Sequence, residues 1–265
     1  MAIEVFNRNE KKYIMDEKIY NKLLMRLGDY MELDAYNVGQ EFYSISNIYY
    51  DSLDDKLIRN SIEKPVYKEK LRVRSYGIPS IEDIVYIEIK KKYKDNVNKR
   101  RTAIKLGDAY DYLNNDICPD LNQDQMNKQV FNEIDYFKNF YKIIPKVLIS
   151  YDRRAYFEQN DGCFRLTFDT NIKSRRNNIK LEDGNYGQKL LEDGQFLMEV
   201  KISNAAPLWF TRLMSELDIF PISFSKYATE YKSYINNMII KGEEICLNQY
   251  LRQLQITQFQ LAQQF

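Results

Sequence analysis

Charged and apolar side chains alternate in several stretches of this 265-residue chain. The clearest stretch is Tyr67–Tyr76, which we interpret as a β-strand because successive side chains of a strand point to opposite faces. One of its faces is mostly suited to packing against a core, whereas the other carries four cations in a row: Lys68, Lys70, Arg72 and Arg74. Aligned cations repel one another, so this face indicates either a bound anion or facing carboxylates, or else a solvated edge strand.

Similar alternation predicts further strands, and apolar residues at helical spacing predict helices between them. The predicted strands are Ile3–Met15, Phe42–Asp51, Tyr67–Tyr76, Asp83–Tyr93, Pro145–Phe157, Phe164–Thr170 and Gln195–Ile202. The predicted helices are Lys18–Met31 after an Asp16 cap, Leu53–Ile62 after a Ser52 cap, Leu106–Asn115, Gln123–Tyr141, Pro207–Leu217 and Ser223–Lys241. We interpret Asp95–Arg101 as a polar loop.

These elements predict an α+β fold built on one sheet. We find no internal repeat and no long linker, and about eight strands carry one charged and one apolar face. A closed antiparallel β-barrel accommodates such strands if the polar face points inward and helices cover the apolar face outside. We expect residues 1–242 to form this domain and residues 243–265, which are rich in Gln, to form a tail or a helix.

Composition excludes several classes of active site. The chain contains no His, which rules out His-based acid–base catalysis, His-dependent nucleophiles and His-ligated zinc. Its three Cys are far apart and favour a reducing compartment over a disulfide framework. The first residues lack the apolar region of a signal peptide, and no apolar run reaches the roughly 20 residues of a membrane helix. We therefore expect a cytoplasmic protein without a membrane segment.

Five strand faces mix cations with carboxylates. They are Arg8/Glu10/Lys12, Lys68/Lys70/Arg72/Arg74, Glu88/Lys90, Arg165/Asp169 and Glu199/Lys201. Each face alone is typical of a solvated surface, but together they predict a polar tunnel that binds phosphates, because Arg binds phosphate oxygens bidentately and Lys binds them as a point charge. Mg²⁺ or Mn²⁺ can bridge the carboxylates to phosphate, and phosphoryl transfer needs positioning and charge neutralisation rather than a His.

The same segments resemble a known family. Those that carry the resemblance are Arg8–Tyr13, Tyr67–Gly77, Tyr86–Lys90, Lys99–Arg101, Tyr151–Tyr156, Arg165–Thr170, Leu197–Lys201 and Phe224–Tyr227. In this order they are similar to the catalytic domain of the vacuolar transporter chaperone (VTC) complex, a polyphosphate polymerase among the triphosphate tunnel metalloenzymes. The eukaryotic members also carry an SPX domain and a membrane attachment. We recognise neither feature in this sequence, which therefore looks like a stand-alone bacterial form.

The resemblance implies an enzyme that transfers the γ-phosphate of ATP to inorganic polyphosphate and releases ADP, with Mn²⁺ or Mg²⁺ as cofactor and pyrophosphate or triphosphate as a candidate primer. It assigns catalytic phosphate contacts to Lys12, Arg72, Arg74, Lys90, Arg153 and Lys226. Substrate-binding roles are expected for Arg8, Lys70, Lys99, Arg101, Arg165, Lys201 and Ser225. Glu199 falls on the metal-binding carboxylate, and Glu10 and Glu88 are further candidate metal ligands.

Alternatives remain open at this point. The same fold would serve a metal-dependent tripolyphosphatase or nucleoside triphosphatase, or a non-catalytic module that binds polyphosphate or nucleotide. Nucleic acid is a weaker candidate, because the net charge is +1 and the cations are interleaved with carboxylates. Related triphosphatases begin with Glu-x-Glu-x-Lys, and Arg8 replaces the first Glu, which tilts the pattern toward a polymerase. Strand alternation places Arg153 with apolar residues, which conflicts with its assigned role unless the strand ends or bulges there.

Overall fold

The computed structural model describes residues 5–6, 9–94, 96–119, 128–159, 164–202 and 205–240. Its strands are β1 Val5–Phe6, β2 Asn9–Asp16, β3 Met31–Leu33, β4 Tyr43–Asp51, β5 Tyr67–Tyr76, β6 Ile84–Tyr93, β7 Asn96–Lys105, β8 Ile144–Glu158, β9 Phe164–Arg175, β10 Gln188–Lys189 and β11 Gln195–Ile202. Its helices are α1 Glu17–Leu27, α2 Lys56–Ile62, α3 Leu106–Asn115, α4 Lys128–Tyr141, α5 Leu208–Glu216 and α6 Lys226–Ile240, with a short 3-10 turn at Ala35–Asn37. Arg8 and the predicted tail at 243–265 lie outside the described residues.

The strands form one antiparallel sheet in the order β1-β7-β6-β5-β4-β8-β9-β11-β2, with β3 paired to β8 and β10 to β9. The predicted α+β class is therefore confirmed. The predicted closed barrel is not confirmed, because hydrogen bonds do not close the sheet: β1 and β2 stand at opposite ends of the order within the part of the chain that is described. β1 and β2 follow each other along the chain, so the Cα atoms of Phe6 and Asn9 lie within roughly 11 Å of each other.

Two apolar clusters lie between the sheet and outer helices. α3 and α4 pack on β5 and β6 through side chains such as Leu71, Ile87 and Phe137. α1 and α5 pack on β2, β9 and β11 through side chains such as Leu23, Phe168 and Met198. α1 starts as predicted, because the Asp16 carboxylate accepts a hydrogen bond from the Ile19 amide at 2.8 Å. The apolar face of each of these strands thus points outward under a helix.

A third apolar cluster lies on the opposite, inward face. α6 packs there through Tyr227, Tyr231 and Ile235 against residues of β4 and β8 that include Tyr49 and Ile149. Register places Arg72 opposite Tyr49, and directly paired residues share a face of the sheet. The inward face is therefore polar in one part and apolar in another, where α6 covers it.

This mixed face explains the apparent conflict at Arg153. Arg153 pairs with Tyr43 on β4, while Ile149 and Tyr151 of the same strand pair with Asn47 and Ile45. The β4–β8 register is continuous from Ile149 to Arg153, so these residues of β8 do alternate regularly. The pairing of β8 with β9 has a bulge between Ser150 and Asp152, but its extra residue lies on β9. The expectation that an apolar strand face points outward is wrong here, because α6 fills part of the interior.

Several predicted boundaries change. The predicted loop at Asp95–Arg101 is wrong, because residues 96–105 form β7 and pair with β6 along their whole length. β9 continues to Arg175, five residues beyond the predicted end. α1 ends at Leu27, and Met31 instead starts β3. The Ser52 hydroxyl accepts from the Lys56 amide at 2.9 Å, where α2 begins.

The outer edge of β2 is covered by the segment before α6. The Ile222 amide donates to the Lys12 carbonyl at 2.7 Å, in an isolated bridge between the two residues. This contact satisfies part of an otherwise unpaired strand edge. Among the helices that the structure describes, none has the length and apolar character needed to cross a bilayer.

Candidate active site: a cavity of paired charges

A cavity of about 170 Å³ lies inside the curved sheet, where β2, β5, β6, β8 and β11 meet the start of α6. Its lining consists of Glu10, Lys12, Tyr49, Lys70, Arg72, Arg74, Glu88, Lys90, Lys99, Tyr151, Arg153, Glu199, Lys201, Ser225, Lys226 and Tyr227. Every described residue predicted for the site lines it apart from Arg101 and Arg165. The side chains predicted to converge from separate strands therefore do converge, although their individual roles stay predictions.

Glu199 is the centre of the first charge network. Its Oε1 lies 3.1 Å from Lys12 Nζ and 3.0 Å from Lys226 Nζ, and its Oε2 lies 3.4 Å from Arg153 Nη2. Register explains the first contact, because Glu199 on β11 pairs directly with Lys12 on β2. Burial alone would raise the pKa of Glu199, but the three cations lower it well below its usual value. The carboxylate is therefore ionised at neutral pH.

Asp169 completes this network and was absent from the predicted site. Arg153 donates Nε and Nη2 to the two Asp169 oxygens at 2.6 and 2.7 Å, and Lys226 Nζ donates at 2.6 Å. The bidentate pair follows from the β8–β9 register, which places Arg153 opposite Asp169. Asp169 alternates with apolar residues on the same strand face as Arg165, and this pattern indicated a charged face. It did not show that the Asp169 carboxylate would be fully buried.

A second network surrounds Glu88. Arg72 Nη2 and Lys99 Nζ lie 2.7 and 2.8 Å from its oxygens, and Arg74 Nε lies 3.9 Å away. Burial would raise the pKa of Glu88, whereas Arg72, Arg74 and Lys99 lower it well below its usual value. This arrangement holds Arg72 and Arg74 side by side, as a phosphate site requires.

Neutral side chains orient the same two arginines. Tyr49 Oη accepts from Arg72 at 3.1 Å, Tyr151 Oη accepts from Arg74 at 3.1 Å, and Asn47 Oδ1 accepts from Arg74 Nε at 2.9 Å. Each tyrosine hydroxyl accepts from an arginine and still has its own proton to donate toward a ligand. No sequence pattern pointed to Tyr49 or Asn47, because they lie in a stretch that looks like an ordinary core strand.

A divalent cation fits this site only together with a substrate. Among the described residues, no three Asp, Glu, Cys or His side chains are grouped so that they could hold a metal by themselves. Glu10 lies 3.4 Å from Lys12 Nζ, so Glu10 and Glu199 both contact that lysine. Mg²⁺ commonly uses one or two carboxylates plus phosphate oxygens and water, which matches this pair. Glu88, whose oxygens contact Arg72 and Lys99, is the less suited of the three predicted ligands.

Two described residues predicted for the site, Arg101 and Arg165, lie away from the central cavity. Arg101 stacks over the Tyr86 ring at 4.7 Å, and Arg165 lies 3.4 Å from an Asp34 oxygen. Both share strand faces with cavity residues but do not line the cavity itself. Arg8 lies outside the described residues. Arg154, next to Arg153, instead contacts Glu41 at 3.6 Å.

Lys70 contributes to a pH dependence of the site, together with Lys99 and Lys201, for which burial lowers the pKa to about 7 and to about 8. Lys70 Nζ lies 3.5 Å from Ser225 Oγ, and burial, followed by repulsion from Lys90 and Lys68, lowers the pKa of Lys70 to about 7. A bound phosphate chain supplies negative charge and raises this pKa again, so binding takes up a proton. We expect the affinity for tripolyphosphate to fall as pH rises from about 7 to about 9. Calorimetry in buffers of different ionisation enthalpy measures the uptake.

A matched variant separates Lys70 from the ionisation of the phosphates themselves. Lys70→Arg keeps a positive charge at every pH in this range. We expect it to remove part of the proton uptake while retaining binding at the lower pH. Equal uptake by wild type and Lys70→Arg would contradict the assignment to Lys70.

The chain is similar to several known proteins. A family model described as the VTC domain matches residues 7–235. The crystal structure of a candidate adenylate cyclase from Bacillus halodurans is similar in fold, with a TM-score of 0.53 and 14% identity over 84% of this chain and 96% of that chain. A candidate adenylyl cyclase from Hippeastrum, for which a dominant triphosphatase activity is reported, matches with a TM-score of 0.48 and 14% identity over 92% and 99% of the two chains. No curated protein matches significantly.

Proposed function

Because the chain belongs to the VTC domain family, we propose that it is an ATP-dependent polyphosphate polymerase. In this reaction the bond between the β- and γ-phosphates of ATP breaks, the γ-phosphoryl group bonds to a terminal oxygen of a polyphosphate chain, and ADP leaves. Family membership supports a reaction on polyphosphate or a triphosphate. The choice of the polymerase rests on the sequence pattern and on the chemistry of the tunnel.

One observation carries the proposal, namely the surplus of cations in the central cavity. Nine Lys and Arg side chains line it against three Glu. Asp169, which contacts Arg153 and Lys226, adds one more carboxylate, so Lys and Arg side chains outnumber the carboxylates by five. A bound chain of phosphates would neutralise this surplus, and buried cations without such a partner are costly.

The chain's own residues have distinct tasks in this mechanism. Arg72 and Arg74 would hold phosphate oxygens of ATP, with Tyr49 and Tyr151 as further donors. Arg153, Lys12 and Lys226 would face the transferred group, where negative charge must be stabilised during transfer. The attacking oxygen of the chain is already anionic, so no strong protein base is needed. A Mn²⁺ or Mg²⁺ ion, held by Glu199 and Glu10 together with phosphate oxygens, would neutralise charge on the phosphates.

Product analysis tests this proposal. The protein is incubated with ATP and Mn²⁺ or Mg²⁺, and products are separated on a gel stained for polyphosphate while ADP and free phosphate are measured. We expect chains longer than the primer and an equal amount of ADP, and no product in the presence of a chelator. Free phosphate without chains would favour the tripolyphosphatase or nucleoside triphosphatase. Tight binding of polyphosphate without turnover would favour a binding module.

A further inference from the structure

Asp51 is a fully buried carboxylate that the proposed mechanism does not use. It is the last residue of β4 and is not among the residues that line the central cavity. Its oxygens accept hydrogen bonds from the backbone amides of Leu57 at 2.8 Å and Ile58 at 2.9 Å, in the first turn of α2, and from the Tyr227 hydroxyl at 3.1 Å. One side chain therefore joins the sheet to the starts of two helices.

Capping of α2 does not by itself explain a carboxylate at this position. Ser52 already accepts from the Lys56 amide at 2.9 Å, and a hydroxyl cap avoids the burial of a charge. Burial raises the pKa of Asp51, and the amides of Leu57 and Ile58 lower it in part, so the carboxylate is costly to bury and depends on its hydrogen bonds. The bond to Tyr227 is the contact of Asp51 that the start of α2 does not require.

The hydroxyl of Tyr227 fixes the rotation of the first turn of α6. The helix begins at Lys226, so the side chains of Lys226 and Tyr227 leave its axis about 100° apart. Lys226 Nζ reaches Asp169 at 2.6 Å and Glu199 at 3.0 Å, while the Tyr227 hydroxyl reaches Asp51. Burial, and then the charge of Asp51, raise the pKa of Tyr227 well above its usual value, so the hydroxyl keeps the proton that it donates.

A tyrosine suits this task better than the lysine beside it. Its side chain has two torsion angles, whereas a lysine has a flexible four-carbon stem, so the ion pairs of Lys226 do not by themselves fix the helix backbone. The Tyr227 ring also stacks on the Tyr49 ring at a centroid distance of 4.8 Å, and Tyr49 accepts a hydrogen bond from Arg72. The hydroxyl and the ring of Tyr227 therefore have separate contacts, which a change to Phe separates.

We propose that Asp51 is a positioning residue for phosphoryl transfer: by holding the Tyr227 hydroxyl, it sets the direction in which Lys226 enters the central cavity. This inference rests on the proposed function, in which Lys226 faces the transferred group. Asp51 acts through Tyr227 and does not touch the substrate. Because Arg72 and Arg74 hold the phosphates of ATP, the hydrogen bond affects the rate of transfer rather than the affinity for ATP.

A double-mutant cycle with Tyr227→Phe and Lys226→Ala tests the proposal, with kcat and KM for ATP measured from ADP formation. Tyr227→Phe keeps the ring on Tyr49 and leaves Asp51 its backbone donors, so the variant should stay folded. We expect kcat to fall about ten- to thirtyfold and KM for ATP to change less than about threefold. In the Lys226→Ala background, the same change should alter kcat less than about twofold, because the group that it positions is absent.

Tyr234→Phe is the matched control. It removes a hydroxyl from the same helix outside the lining of the central cavity, where the Tyr234 ring contacts Arg176, and it should leave kcat and KM unchanged. Asp51→Asn would disturb the cap of α2 as well, so Tyr227→Phe is the change that breaks the hydrogen bond selectively. Thermal melting of each variant checks that it remains folded.

The contrary outcomes separate this inference from the proposed function. An unchanged kcat in Tyr227→Phe, or an equal fractional loss in both backgrounds, would overturn the positioning role and leave the proposed function intact. A raised KM at constant kcat would assign the hydroxyl to nucleotide binding and overturn that role as well. ATP consumption without chain growth on the gel would overturn the polymerase, while the cycle on ADP formation still decides the role of Asp51. A wild-type protein that consumes no ATP would overturn both.

Discussion

Replacing Arg153 by Ala is expected to reduce turnover by about a hundred- to a thousandfold and to lower the free energy of unfolding by about 3 to 5 kcal/mol. Arg153 is buried and donates two hydrogen bonds to Asp169, and it also lies 3.4 Å from Glu199. Without it, two buried carboxylates depend on Lys226 and Lys12 alone. Breaking one side of a buried ion pair leaves an uncompensated charge, which accounts for the loss of stability.

The neighbouring Arg154 is the matched control. It belongs to the same strand but faces away from the tunnel, where it contacts Glu41 and the Tyr156 ring. We expect Arg154→Ala to change the free energy of unfolding by less than about 1 kcal/mol and to leave turnover unchanged. Denaturant titration and ATP consumption measure the two effects. Equal losses for the two variants would contradict the inward orientation of Arg153.

The second large effect is expected for Glu199→Gln. This change keeps the shape of the side chain and removes the charge that Lys12, Lys226 and Arg153 contact. We expect turnover to fall by at least about a hundredfold, because the cations lose their common partner and a divalent cation loses a ligand. The protein should stay folded, since Asp169 still pairs with Arg153 and Lys226. Initial rates across a Mn²⁺ titration, with far-UV circular dichroism, measure these outcomes.

The shape of the Mn²⁺ titration distinguishes the two roles of Glu199. If Glu199 holds the metal, the variant should need a higher Mn²⁺ concentration and regain part of its activity there. A constant fractional loss at every Mn²⁺ concentration would show that Glu199 acts by organising the cations, and would remove it from the metal site. Glu216→Gln, which alters an exposed carboxylate paired with Arg26, is the control and should behave as wild type.

Alternation along individual strands was sufficient to predict much of the tunnel. β5 and β11 have clear apolar faces under helices, so their charged faces had to point inward. The missed strand β7 carries polar residues on both faces. Its Lys99 points toward Glu88, and its Arg100 contacts Glu133 of α4. No periodicity could reveal such a strand, because its position depends on pairing with β6.

The remaining differences arise from contacts between distant parts of the chain. Arg153 shares its strand face with apolar residues that pack against α6 inside the sheet. That face therefore points inward although much of it is apolar. Arg101 and Arg165 have the predicted orientation but contact Tyr86 and Asp34 instead of the central cavity. Asp169 belongs to the site because the β8–β9 register places it opposite Arg153. The sequence predicts on which face of a strand a side chain lies. How far that side chain lies along the cavity depends on the stagger between neighbouring strands.

The bridge between Ile222 and Lys12 has a mechanical consequence for the site. The same Lys12 whose ammonium group contacts Glu199 holds, through its carbonyl, the segment that reaches Lys226 four residues later. One backbone hydrogen bond therefore links β2 to the segment that leads into the first turn of α6. We expect a ligand that displaces either of the two lysines flanking one carboxylate oxygen to reposition the other as well.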